Sequence, residues 1–177
     1  MPSQRPMLVV DGYNVMFKSD RYLSRAQKGA GSDPFEQSRD LLIADVAAYA
    51  QGRFDPVIVV FDAAGNVSPD RPALKKAGVR LVFSATGETA DTVIERLVTE
   101  QRLVPRAVTV VTSDNTIRST VGGVPVQKVS ADVLVHDVGE LAVEYAQENA
   151  TRQTQRMTLE NRLPADQREK LWRLLGR

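Results

Sequence analysis

Three apolar runs in this chain end the same way, in a carboxylate. Met7–Val10 stops at Asp11-Gly12, Val57–Phe61 stops at Asp62, and Ala107–Val111 stops at Thr112-Ser113-Asp114. Short β-branched runs without polar alternation suit strands buried on both faces, the condition inside a parallel sheet. Val79–Phe83 and Val124–Gln127 are weaker candidates of the same kind. Between the runs the apolar spacing turns helical. Leu42, Ile43, Val46, Ala47, Tyr49 and Ala50 stripe a helix from about Phe35 to Gln51. Ile94, Leu97 and Val98 do so from about Thr89 to Arg102. Leu134, Val138, Leu141, Ala142 and Tyr145 mark a longer helix from about Ala131, with Ser130 as its N-cap. This alternation predicts an α/β three-layer sandwich around a mainly parallel sheet of about five strands.

At 177 residues, 42% of them hydrophobic, the chain can build one cored domain. The pattern predicts that domain over residues 1–150, with residues 151–177 as a basic helical extension packing on it. Leu163-Pro164 punctuates the extension, Leu171, Leu174 and Leu175 give it a short amphipathic helix, and Trp172 reads as a packing anchor. Residues 18–34, with Gly29, Gly31 and Pro34, predict a long polar loop after the first strand. Pro69, Pro72 and Gly78 leave room only for a short helix between the second and third strands.

Composition removes whole classes of chemistry. Cysteine is absent, which excludes disulfides, thiolate metal sites and cysteine nucleophiles and fits a reducing cytoplasm. The single histidine, His136, rules out a multi-histidine metal cage and reads as a structural residue of its helix. Met7–Val10 is far too short for a membrane span. A net charge of +1 argues against coating nucleic acid by bulk charge. The charge is uneven, however: residues 151–177 carry +4, and Lys18, Arg21, Arg25 and Lys28 are offset locally only by Asp20.

In a parallel α/β sheet the carboxyl ends of the strands share one edge, where ligands bind. Asp11, Asp62 and Asp114 should all reach that edge. Asp91, entered through Gly87-Glu88-Thr89-Ala90, brings a fourth carboxylate to the rim and Glu88 a candidate fifth. Any one of these fits a turn or a helix N-terminus, and Glu95 fits a surface ion pair. Four together repel unless a cation neutralises them, and an oxygen-only donor set calls for Mg²⁺ or Mn²⁺. In Asp11-Gly12-Tyr13-Asn14 the glycine permits a tight exit from the strand, and the Asn14 amide can orient a ligand or a water.

Val-Asp-Gly-Tyr-Asn at 10–14, Val-Phe-Asp-Ala at 60–63, Gly-Glu-Thr-Ala-Asp at 87–91 and Thr-Ser-Asp at 112–114 resemble the NYN-domain ribonucleases of the PIN-like fold, in their bacterial YacP-like branch. The resemblance runs in order over most of the chain. It implies a divalent-metal-dependent endoribonuclease acting on single-stranded RNA. By position, Asp11, Asp62, Asp91 and Asp114 would form the acidic metal site, Asn14 would assist, and Glu88 matches the Glu of the branch's string. The substrate's charge would be met outside the acidic pocket, by Lys18, Arg21, Arg25 and Lys28 or by Lys75, Lys76 and Arg118. Tyr13, Phe17 and Tyr22 are candidates for stacking on unpaired bases. RNA is thus the expected partner, with mRNA presented by a ribosome as one form of it.

Two other readings use the same residues. A metal-dependent phosphatase or phosphotransferase would take Asp11 as nucleophile, though such sites commonly carry a second Asp two residues on, out of step with Asn14. A phospho-acceptor variant would use Lys128 after the last strand. A non-catalytic RNA-binding module would keep the fold without turnover.

Overall fold

Met7–Asp11 forms β1, buried along its whole length, and it lies in the middle of the sheet. The structure is a computed structural model describing residues 4–26, 35–62, 74–114, 117, 120–162 and 173. After β1 come α1 (Gly12–Phe17), α2 (Asp20–Leu23), α3 (Glu36–Ala50), β2 (Val57–Phe61), β3 (Leu74–Lys76) and β4 (Val79–Phe83). Then follow α4 (Ala90–Thr99) with a 3₁₀ turn at Glu100–Leu103, β5 (Val108–Val111), β6 (Thr120–Val121), β7 (Val124–Val129) and α5 (Ala131–Arg162).

The sheet order is β3-β4-β2-β1-β5-β7-β6. The five inner strands are parallel, as their apolar runs predict. The outermost two are short, antiparallel and additional to the expected five. Each closes a hairpin through a two-residue turn with both φ positive, Ala77-Gly78 in one and Gly122-Gly123 in the other. At Gly122 a side chain would also meet Thr99 Oγ1 at 2.5 Å.

Successive strand residues face opposite sides, and both sides are covered. On one, Met7, Val9, Ile58, Val60, Val108 and Val110 pack against Ala90, Val93, Ile94, Leu97 and Val98 of α4. On the other, α3 lies over β2 and β4 and buries Leu42, Ile43, Val46 and Tyr49. From β1 the chain passes to β2 and β4 on one side, then returns to β5 and β7 on the other. That reversal, between β1 and β5, is where an open α/β sheet leaves a crevice at its carboxyl edge.

The chain divides into two compact units, Met1–Val138 and Gly139–Arg177. The division falls within α5, which continues to Arg162. Ser130 caps it as expected, its Oγ accepting from Val133 N–H at 3.3 Å. Among the described residues no helix is long and apolar enough to cross a membrane. Residues 63–73 of the stretch where a short helix was expected, most of the glycine-rich loop and, apart from Arg173, the Leu171–Leu175 segment with Trp172 lie outside the described residues; the rest of that stretch is β3 and its turn.

The expected loop at 18–34 is corrected over its first part, where α2 interrupts it. Ser19 caps α2, and Tyr22 is fully buried. The Arg21 guanidinium forks Asp45 of α3, Nε to Oδ2 at 2.7 Å and a terminal nitrogen to Oδ1 at 2.9 Å. The Tyr22 hydroxyl donates to the same carboxylate at 3.1 Å, and Ser38 Oγ donates to the Tyr22 carbonyl at 2.8 Å. Burial, then the Asp45 charge, pushes the Tyr22 phenol far above its usual range. Replacing Asp45 by Ala leaves a buried hydroxyl and a guanidinium without their acceptor, and should cost about 1–3 kcal/mol in chemical denaturation. Adding Arg21→Ala should cost little more, because the network acts as one. Full additivity of the two would show that α2 is held by something else.

Candidate active site

Asp11 is the last residue of β1 and the N-cap of α1, its Oδ1 accepting from Asn14 N–H at 3.1 Å. Gly12 begins α1 hard against Phe61: a Cβ there would lie 2.3 Å from the Phe61 ring. This close approach leaves Asp11 only 8% exposed. Burial pushes its carboxyl up to about 6; the Asn14 N–H pulls the other way, and the charges of Asp91, Asp114 and Asp62 raise it further. The carboxylates expected at this edge, Asp62 and Asp114 from strand ends and Asp91 from the entry to α4, are the three charges that bear on Asp11.

Each is held by its own loop. Asp62, just past β2, accepts from Ser84 Oγ at 3.2 Å, and the buried Ser84 N–H donates to the Phe61 carbonyl at 2.9 Å. Asp91 lies in the first turn of α4, whose cap Thr89 accepts from Thr92 N–H at 3.3 Å. Asp114 is exposed after β5, its N–H donating to Thr112 Oγ1 at 3.1 Å and its carbonyl accepting from Lys128 Nζ.

The Asn14 side chain makes a tie between two elements of the rim. Its Oδ1 accepts from Ser113 N–H at 2.8 Å, and Ser113 Oγ accepts from Ala131 N–H at 3.1 Å. One side chain thus ties the first turn of α1 to the loop after β5 across the reversal point, and Ser113 carries the tie to the start of α5. Ser84, Ser113 and Lys128 were not singled out as parts of the acidic rim. Ser84 and Ser113 had a readable signal, since each is polar punctuation directly after an apolar run.

Glu88 departs from the expected ligand set. It forms an ion pair with Arg96, and its other oxygen accepts from Ala85 N–H at 3.3 Å. Arg96 holds its carboxyl below the usual carboxylate range. Glu88 thus closes the turn into α4. Among the expected RNA-facing cations, Lys18, Arg25 and Lys75 are exposed. Lys76 pairs with Asp40 at 2.7 Å, and Lys28 and Arg118 lie outside the described residues. Arg21 is corrected: Asp45 holds it in packing. Tyr22, as a stacking candidate, is corrected too, because none of its ring is accessible.

Among the described residues no three His, Cys, Asp or Glu side chains form a ready-made metal ligand set. The donors still fit Mg²⁺ or Mn²⁺ in kind, being carboxylate oxygens with only like charges bearing on the buried one. Mg²⁺ in particular keeps several waters and takes as few as one or two protein carboxylates directly.

The profile of the YacP-like NYN domain matches residues 8–175. The chain belongs to the YacP-like NYN family. It is 31% identical over 132 residues to the uncharacterized protein YacP of Bacillus subtilis (strain 168), covering 75% of this chain and 74% of that one. The crystal structure of Rae1 (YacP) from Bacillus subtilis matches with a TM-score of 0.67 at 25% identity, over 96% of this chain and 92% of that one. A mutant of Rae1 matches at a TM-score of 0.59 and 27% identity, over 94% and 97%. The NYN fold is the nuclease-type α/β sandwich that the four strings implied.

The raised Asp11 carboxyl sets a pH signature for the metal-free protein. Between pH 3.8 and about 6 the native state holds a proton that the unfolded chain has released, so stability falls as pH rises through that window. Above it the ionised native state carries a penalty of about 3 kcal/mol. Asp11→Asn keeps the cap acceptor without the charge. In chelator it should match the parent near pH 4 and exceed it by up to about 3 kcal/mol at neutral pH. An equal difference at every pH would mean that Asp11 is not the strained group.

Proposed function

We propose that this protein is a divalent-cation-dependent endoribonuclease that hydrolyses phosphodiester bonds of single-stranded RNA, with mRNA, free or on a ribosome, as its cytoplasmic substrate. The observation that carries the reading is Asp11: nearly dry, at the reversal point of an NYN fold, with three further carboxylates bearing on it. Asp11, Asp62, Asp91 and Asp114 would hold Mg²⁺ or Mn²⁺, whose chemistry when bound is to acidify a water and to stabilise charge on the scissile phosphate. Asn14 and Ser113 hold the end of β1 that bears Asp11 and the loop that bears Asp114 in register, so the acids meet the substrate with little rearrangement. The exposed Lys18, Arg25 and Lys75 would meet backbone phosphates outside the acidic rim.

The phosphotransferase reading is the weaker one. A nucleophilic Asp11 must be ionised and open to attack, whereas this one is buried with its Oδ1 capping α1. A trapped acyl-phosphate would nevertheless establish it.

Incubating the protein with mixed cellular RNA in Mg²⁺, in Mn²⁺ and in chelator, then mapping the new ends, tests the proposal. Cleavage should appear with either cation and vanish with chelator or with Asp11→Asn. Single Asn substitutions at Asp62, Asp91 and Asp114 should each remove most activity, and pairs should add little, because residues of one site are non-additive. Multiplicative losses would mean separate roles. Binding without cleavage under every condition would leave an RNA-binding module.

A further inference from the structure

Five aromatic rings run in contact from the interior of the sheet out to solvent beside Asp11. Phe83 stacks on Phe61 with centroids 5.6 Å apart, and Phe61 meets Tyr13 edge-on at 5.3 Å. Tyr13 stacks on Phe17 at 5.7 Å with planes 15° apart, and Phe35 packs its edge on both at 6.3 and 5.8 Å. The buried Arg39 lies over Phe61 and donates to the Tyr13 hydroxyl at 3.2 Å, which fixes the middle of the row. Phe61, the second ring, is wholly inaccessible and Phe83 behind it is half-buried, while Phe17 at the outer end is 55% exposed.

Position and charge say what such a ring faces. Phe17 ends the short helix that Asp11 caps, five residues beyond Gly12, so it stands about 9 Å along the helix from the buried carboxylate. The next residue, Lys18, is exposed, and so is Arg25. An open π-face held rigid from behind, with a cation beside it and an acidic site one short helix away, matches an unpaired nucleotide: base on the ring, phosphate on the cation. A protein partner would want a wider apolar patch; among the described residues of α1 and α2, Leu23 is the one other exposed large hydrophobic, and Lys18, Asp20, Arg21 and Arg25 around it are charged.

We propose that Phe17, backed by Tyr13 and Phe35, is the stacking platform for an unpaired base next to the scissile phosphate, with Lys18 on that nucleotide's backbone. The inference rests on the endoribonuclease reading and adds to it where the strand is gripped. Because stacking needs only a π-face, the platform tolerates any base and prefers unpaired over paired RNA.

The test uses the full chain and a short unstructured RNA, together with copies of it carrying a single abasic position at successive places. Binding is measured in the Asp11→Asn background so that the RNA stays intact, and cleavage in the parent background. Phe17→Ala should weaken binding by about 5- to 150-fold. Phe17→Trp should restore it, while Phe17→Leu, apolar without a π-face, should not. One abasic position should weaken the Phe17-containing protein as much as Phe17→Ala does, and should cost the Ala variant nothing further. Melting curves should stay level throughout, because the replaced ring is largely exposed. Equal binding by Phe17→Ala and the Phe17-containing protein, or rescue by Leu as complete as by Trp, overturns the platform while cleavage by the parent leaves the endoribonuclease reading standing. Failure of the parent to cleave, with no binding by the Asp11→Asn protein, overturns both.

Discussion

The carboxyl edge of this sheet depends on how Asp11 is kept in a nearly dry position while facing only like charges. A strand at the centre of a parallel sheet is buried on both faces, so its last residue is inside before any functional demand is made. Asp11 is tolerated there because it caps α1 and because Gly12 lets Phe61 close over the exit. What the cap does not remove is the repulsion from Asp91, Asp114 and Asp62, which adds to burial in raising its carboxyl. A site of this kind is unstable by itself and stabilised by whatever brings positive charge, which is how binding energy and fold stability become linked.

The supporting shell explains why the acids do not relax apart. Asp62 is tied to β4 through Ser84, and Asp114 to its own loop through Thr112. Asn14 joins the two loops that flank the reversal point. These are short side chains close to strand and helix ends, so each carboxylate is tied to a neighbouring element by one hydrogen bond or a cap. The aromatic row does the same for the neighbouring surface, with Arg39 locking Tyr13 from below.

The inner architecture was legible because period and burial agree. The three continuous apolar runs became β1, β2 and β5, buried on both faces, and the two weaker candidates became β4 and β7, which bury mainly alternate residues; the stripes at Leu42–Ala50 and Ile94–Val98 became α3 and the body of α4. The edge strands were not legible by that signal, because Leu74–Lys76 is exposed and Thr120–Val121 is two residues long. Gly122-Gly123 between valines is a hairpin signal that could have found the second. At the site, the strand ends at Asp62 and Asp114 and the entry to α4 at Asp91 pointed to the carboxylates whose charges bear on Asp11. They did not predict side-chain partners: Glu88 goes to Arg96 and Arg21 to Asp45 because a nearer opposite charge exists in three dimensions. A lone Arg39 one turn before Leu42 and Ile43, on their stripe, was a sign of a buried cation that the helical pattern alone passes over.

The central claim is that the four acids form one cation site organised around a raised Asp11 carboxyl. Calorimetric titration of the metal-free protein with Mn²⁺, run near pH 6 in buffers of different ionisation enthalpy, tests it directly. The account predicts saturable binding that releases a fraction of a proton near pH 6, with the release fading toward pH 8 and the affinity lost in Asp11→Asn. Equally tight binding to Asp11→Asn, or no saturable binding at either pH, would contradict it.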